Sequence, residues 1–224
     1  MLNLTNNHRR EGVTSFLAEH QQQPLPRRYR HQVDNLIGWR RVMFDLGLIG
    51  QRADRYDGAG YGNISVRLTP FQRPRGERAF LITGTQTGGK SAVGEIDISC
   101  VRRYSAGQNK VYSAGLTKPS SESMSHGALY DLSLTIGAVV HVHSELIWSQ
   151  RSRLGLPTTH ASVEYGTPQM ASAISELWRK TSLADGGILA TAGHIDGIFA
   201  FGRRLDEACH RLLTIYARCH HPLN

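Results

Sequence analysis

The chain has 224 residues, 40% hydrophobic and 20% charged, with three scattered cysteines; this fits one globular domain and excludes collagen-like, low-complexity and disulfide-scaffold proteins. Its formal net charge of +8 raises nucleic acid as a partner, but the chain has no run of five like charges and no RNP, zinc-finger or KH pattern, which argues against that partner. The surplus lies wholly in residues 1–110, with 17 basic and 9 acidic side chains, and is mostly arginine; a field of that kind suits a small phosphorylated ligand.

The N-terminus is polar and soon basic, so it does not read as a signal peptide, and no apolar run reaches the ~18 residues of a membrane span. Cys100, Cys209 and Cys219 read as core thiols of a cytoplasmic protein. Asn3 and Asn63 begin N-x-[ST] matches, which without secretion are chance matches or serve another purpose. Residues 1–30, with Gln21-Gln22-Gln23-Pro24 and Pro26, read as a polar arm ahead of a single domain over residues 31–224.

Apolar residues from Val33 to Leu46 predict a helix over His31–Leu48, ended by Gly47 and Gly50. A glycine-dense turn, Gly58-Ala59-Gly60-Tyr61-Gly62-Asn63, leads into a strand at Ile64–Leu68. Ala79–Thr83 is a second strand, and Ile96-Asp97-Ile98 alternates like a third. Pro119 precedes a helix of about three turns carrying Met124, Leu129 and Leu132. Ile136–His143 is an apolar strand. Pro168 opens another helix, Gly187–Ala190 and Gly197–Phe201 are short strands, and the last helix runs through Leu205, Cys209, Leu212 and Tyr216. Short strands mixed with helices predict one layered α/β domain.

Two glycine motifs need testing against their context. Gly84-Thr85-Gln86-Thr87-Gly88-Gly89-Lys90-Ser91 fits G-x-x-x-x-G-K-[ST], the phosphate-cradling P-loop. The loop must open a helix to complete that anion site, and the following Ala92–Ile98 makes a poor one. Gly58-x-Gly60-x-Gly62 is no dinucleotide fingerprint, because Asn63 takes the place of the third glycine and a strand follows.

His141-Val142-His143 ends a strand. Residues two apart face the same way, so both imidazoles can reach one ion. A third ligand is needed. His194, in the turn Ala192–Gly197, competes with His126 and His160 for that role. Each histidine alone is as well explained by ordinary core or turn hydrogen bonding. Ser120 and Ser121 sit where a helix N-cap belongs. The same place suits an anion. Glu122 beside them is either a general base, a metal ligand or a residue favoured by the helix dipole.

Taken together, Gly62–Arg67, Leu81-Ile82-Thr83-Gly84, Pro119–Glu122 with His126 and Tyr130, Ala138–Ser144 and Gly193-His194 resemble the class II aldolase/adducin family, over about residues 35–220. The resemblance implies a three-layer α/β/α fold around a largely antiparallel sheet. It implies Zn2+, or another divalent metal such as Mn2+ or Co2+, on His141, His143 and His194, and Glu122 as catalytic acid/base. Substrate phosphate would sit among Asn63, Thr83, Gly84, Ser120 and Ser121, and the assembly would be a homo-oligomer, commonly a tetramer. The expected activity is that of a lyase on a phosphorylated sugar, by retro-aldol or related enediolate chemistry. Relatives epimerise or dehydrate similar substrates, and an adducin-like scaffold keeps the fold without catalysis. Glu122 favours aldolase or dehydratase over epimerase, where aspartate is usual. Sugar-phosphate aldolases carry a tyrosine just after a Pro-x-x-His stretch. Here Ala161 follows Pro157-Thr158-Thr159-His160, and the nearest tyrosine is Tyr165. Tyr56-Asp57-Gly58 and Asp196-Gly197 mark a divergent branch.

Overall fold

The structure, a computed structural model, describes Thr14 and residues 16–221. Residues 1–13, the first part of the expected arm, and Asn3 with them, lie outside the described residues. In chain order the elements are β1 (Leu17–Gln22), α1 (Arg30–Asp45), β2 (Gly50–Gln51), β3 (Gly60–Tyr61), β4 (Asn63–Arg67), β5 (Phe80–Thr83), β6 (Ile98–Ser105) and β7 (Lys110–Gly115). There follow α2 (Ser123–Leu132), β8 (Ala138–His143), α3 (Glu145–Ser149), β9 (Thr158–Thr159), α4 (Pro168–Lys180), α5 (Leu183–Gly186), β10 (Ile188–Thr191), β11 (Gly197–Gly202) and α6 (Leu205–Arg218).

Nine strands form one sheet in the order β1-β7-β6-β5-β4-β8-β11-β10-β9, and β2 pairs with β3 in a small ribbon. The large sheet is antiparallel except where β1 joins β7 and β9 joins β10. Strand side chains alternate between faces. Ile64, Val66, Val140, Val142, Ile198 and Ala200 therefore pack with Leu36, Met43 and Leu212 of α1 and α6. Phe80, Ile82, Val139, Phe199 and Phe201 pack on the opposite side with Met124, Leu129, Met170 and Ile174 of α2 and α4. The result is a three-layer α/β/α fold around a largely antiparallel sheet, as the resemblance implies.

Several local expectations change. α1 stops at Asp45, and the chain turns at Gly47, whose φ is +70°. Within the buried stripe Val33, Leu36 and Met43 stands Arg40, 1% exposed. Its Nη2 donates to the carbonyls of Thr87 (2.8 Å) and Gly88 (2.9 Å). Glu95–Asp97 is a single turn of 3-10 helix rather than a strand, and β6 begins at Ile98. Leu17–Gln22, expected in the arm, is an edge strand.

The P-loop pattern lacks its helix: Ser91–Gly94 is irregular and only the turn at Glu95 follows. Lys90 Nζ lies 2.5 Å from Asp97 Oδ1. The glycines serve close packing instead: Gly88 against backbone and Gly89 against the Gln51 side chain. A Cβ on Gly88 would sit 2.6 Å from the Gly50 carbonyl, and one on Gly89 would sit 2.0 Å from Gln51 Oε1.

Two measurements test this packing. Gly58 (φ +72°) has open space around its Cα, whereas a Cβ on Gly62 (φ +77°) would lie 2.7 Å from Ile49 Cγ1 and 3.1 Å from the His141 carbonyl. Gly58→Ala costs about 1 kcal/mol for its left-handed backbone, and Gly62→Ala about 3 kcal/mol because overlap is added. Equal losses in urea unfolding would refute the tight approach of β4 to Ile49. The second concerns His126, fully buried on α2 with Nδ1 2.7 Å from Ser65 Oγ. Burial lowers its pKa from 6.5 to about 3. Below pH 6.5 the unfolded chain therefore binds a proton that the folded chain refuses, so stability falls with falling pH until about pH 3. Between pH 6 and 5 the unfolding free energy of His126→Gln should fall less steeply than that of the wild type, by about 1.4 kcal/mol per pH unit. Parallel slopes would show that His126 stays solvated.

Candidate active site

The alternation of β8 sends Val140 and Val142 to one core and His141 and His143 to the other face. Both histidines are buried. His141 Nδ1 lies 3.1 Å from the Ile198 carbonyl, so that nitrogen carries the proton and Nε2 keeps its lone pair. Nε2 is buried and has no hydrogen-bond partner. Pairing of β8 with β11 sets Gly197 opposite His143. The turn just before Gly197 is therefore delivered to the end of β8, and His194 lies in that turn.

The turn has little freedom. Thr191 Oγ1 donates toward the carbonyls of His194 (3.1 Å) and Gly197 (3.0 Å), and the Gly197 amide donates to His194 O at 3.0 Å. A Cβ on Gly193 would lie 2.3 Å from the Val163 carbonyl, so this position needs glycine. His141, His143 and His194 each offer a ring nitrogen within 4.8 Å of the other two. Aromatic rings wall the group. Phe199 stacks on His141 at 4.1 Å, Tyr165 on His194 at 4.6 Å, and Tyr56 meets His143 edge-on at 4.6 Å. The rivals for the third position are elsewhere: His126 is bonded to Ser65, and His160 is exposed beside Ser162.

Burial holds the His141 and His143 imidazoles well below their ordinary pKa, and the neighbouring His194 adds to this. They are neutral near pH 7, the form that ligates a metal.

Glu122 caps α2 and is 1% exposed. Ser125 Oγ donates to its Oε2 at 2.9 Å, while Oε1 lies 3.5 Å from His194 Nδ1. The helix begins at Ser123, later than the two serines suggested. Ser120 caps the turn ahead of it: its Oγ accepts from the Glu122 amide at 3.2 Å, and its carbonyl accepts from Ser123.

Hydrogen bonds tie the expected phosphate residues into one region. Asn63 stands opposite His141 in the sheet, and its buried Oδ1 has no partner. The Ile64 amide donates to Thr83 Oγ1 at 3.2 Å. The Ser120 amide donates to the Thr83 carbonyl at 3.2 Å, and Gly84 bridges to Pro119. Gly84 has no room for a Cβ, which would meet Thr117 at 2.4 Å. These pairings bring Asn63, Thr83, Gly84 and Ser120 together beside His141, and Ser121 lies between Ser120 and Glu122 in the chain.

Four contributors were not assigned from sequence: Arg55, whose guanidinium pairs with Glu145 and with Asp196 of the His194 turn, Tyr56, Ser125 and Tyr165. Ser125, three residues after Glu122 on one helix, had the only local signal. The others join the site across loops.

The fold is shared with solved enzymes. A sugar-phosphate aldolase from Thermotoga maritima superposes with a TM-score of 0.61, covering 86% of this chain and 93% of that one at 18% identity. L-fuculose-1-phosphate aldolase from Thermus thermophilus gives 0.55, covering 87% and 100% at 18% identity. At such identities the likeness is one of fold. In sequence, a methylthioribulose-1-phosphate dehydratase of Gluconacetobacter diazotrophicus is 32% identical over 108 residues, 47% of this chain. The match spans just under half of that protein, 46%. The profile of the class II aldolase and adducin N-terminal domain matches residues 51–221, well over half of the sequence, and this chain belongs to that family.

Proposed function

We propose that this protein is a metal-dependent lyase acting on a phosphorylated sugar or a similar hydroxy-carbonyl compound. The observation that carries the reading is the convergence of three buried imidazoles, with donor atoms within 4.8 Å, beside the Glu122 carboxylate. The donor set fits a divalent ion such as Zn2+, Mn2+ or Co2+: imidazole nitrogen suits such ions, burial keeps His141 and His143 neutral, and His141 Nε2 is buried with no other partner. When bound, such an ion supplies Lewis-acid polarisation of a substrate carbonyl.

The chain's own residues do the rest. The hydroxyls of Thr83, Ser120 and Ser121 and the side-chain amide of Asn63, beside Gly84, hold the phosphate. That grip sets the substrate carbons between phosphate and imidazoles, in reach of Glu122. Ser125 fixes one carboxylate oxygen and leaves the other on the His194 side. Glu122 moves a proton at the carbon next to the carbonyl. In retro-aldol cleavage the substrate hydroxyl that becomes the aldehyde loses its proton as the carbon–carbon bond breaks, and Glu122 delivers a proton to the carbon next to the carbonyl. In dehydration Glu122 removes a proton there and passes it to the neighbouring hydroxyl, which leaves as water. The similarity to a dehydratase favours this second reading as an alternative on the same residues.

Metal analysis of the purified protein tests the site. The wild type should hold about one divalent ion per chain after reconstitution, and His141→Ala and His194→Ala should both lose it. Glu122→Gln should keep the ion while turnover of a ketose phosphate drops about 10²- to 10⁴-fold. Release of dihydroxyacetone phosphate would assign cleavage, and its absence with loss of water would assign dehydration. A wild type that takes up no metal would overturn the mechanism.

A further inference from the structure

The segment ahead of β3 carries a device that the reaction does not call on. Arg55 reaches two carboxylates. One guanidinium nitrogen pairs with Glu145, and Nη2 lies 2.5 Å from Asp196 Oδ2. Each of these acids stands two residues beyond a histidine of the candidate metal site: Glu145 after His143, and Asp196 after His194. Tyr56 adds a second tie. Its hydroxyl donates to the same Asp196 oxygen at 2.5 Å, and its ring lies edge-on against His143. The Ser144 amide donates to the Asp196 carbonyl at 2.9 Å, which closes the loop between the two segments.

The backbone is bent to make these contacts. Tyr56, Asp57 and Gly58 have φ of +54°, +55° and +72°, and Asp196 has +65°. Side-chain-bearing residues hold the left-handed region only where the surroundings compel them. Asp196 is 1% exposed, and a carboxylate that deep needs a cationic partner. Arg55 provides it and simultaneously links the end of β8 to the His194 turn.

On the reading of His141, His143 and His194 as metal ligands, we propose that Arg55, Tyr56 and Asp196 form a clasp that fixes His143 and His194 relative to one another and sets how long a divalent ion stays bound. The three are positioning residues. They act on the ligands' geometry, as outer-shell partners of metal sites do, where their loss typically weakens binding about 10- to 100-fold.

The test is Zn2+ release from the reconstituted full chain into a chelator, for wild type, Tyr56→Phe, Asp196→Asn and the double variant. Tyr56→Phe keeps the ring on His143 and removes only the hydroxyl, so it preserves folding better than a truncation. Each single variant should release Zn2+ about tenfold faster, and its Co2+-substituted form should show shifted ligand-field absorption bands. The double variant should release Zn2+ no faster than the faster single one, because both remove one shared hydrogen bond. Thermal unfolding of metal-free and metal-loaded protein should show the metal-dependent increment shrinking in the variants. Unchanged release and spectra in variants of a metal-binding wild type would overturn the clasp alone. Multiplied effects in the double variant would overturn it too. A wild type that binds no Zn2+ would overturn the metal site and the clasp with it.

Discussion

The pairing of β8 with β4 on one side and β11 on the other is the constraint from which the site follows. Antiparallel register sets Asn63 opposite His141 and Gly197 opposite His143. Because side chains alternate along a strand, a shift of one residue in either pairing would turn these positions to the wrong face. The register is fixed by its other face. Val140 and Val142 of β8, Ile64 and Val66 of β4, and Ile198 and Ala200 of β11 are all buried under α1 and α6. A slip would expose that set and bury the histidines in it. The apolar core on one side therefore secures the polar site on the other.

That site is costly to build. Three imidazoles and a carboxylate are taken out of water within a few ångströms of one another. Burying a polar group without compensation is unfavourable by several kcal/mol. The compensation comes in two ways. Directed hydrogen bonds fix what they can, as at His141 with Ile198 and Glu122 with Ser125. The His141 and His143 imidazoles stay neutral, held low by burial and by the neighbouring histidines. A cluster of inward-facing imidazoles is a weak core and a good ligand set, which is why the local expense makes sense only together with function.

How much of this was legible in the sequence depended on the range of the interaction. His141 and His143 were readable because period-two spacing is a local property. The helix carrying Ser123–Leu132 was announced by Pro119 and its apolar spacing, although its start was misplaced by the turn that Ser120 caps. His194 stood level with His126 and His160 on spacing alone, since only strand register distinguishes them. The family resemblance selected it. β1 was missed because an edge strand exposed along most of its length, Leu-Ala-Glu-His-Gln-Gln, has no apolar face to display. β7 was missed for a related reason: Lys110–Gly115 alternates only weakly before its small residues enter the core. Arg40 stood in a helical stripe of apolar residues with nothing nearby to mark it as the donor that holds the glycine loop.

The charge surplus shows the same limit in another form. Residues 1–110 carry the whole excess, and as a composition it reads as a surface field. Several of those arginines are interior fasteners instead. Arg40, Arg67 and Arg78 are 1%, 4% and 7% exposed. Arg40 donates to Thr87 and Gly88, Arg67 to the carbonyls of Phe71, Ser133, Leu134 and Ile136, and Arg78 to those of Arg73 and Tyr130. A planar guanidinium with five donors can satisfy several loop carbonyls at once, which a lysine cannot do. Loops that run beneath the surface leave carbonyls without helix or sheet partners, and such groups must be satisfied if they are to be buried. Arginine solves that problem here and raises the net charge as a by-product. Three of the arginines in this half thus serve loop packing, while Arg27, Arg28, Arg30, Arg73, Arg75, Arg102 and Arg103 stay exposed and carry the surface field, so the basic composition combines two separate roles.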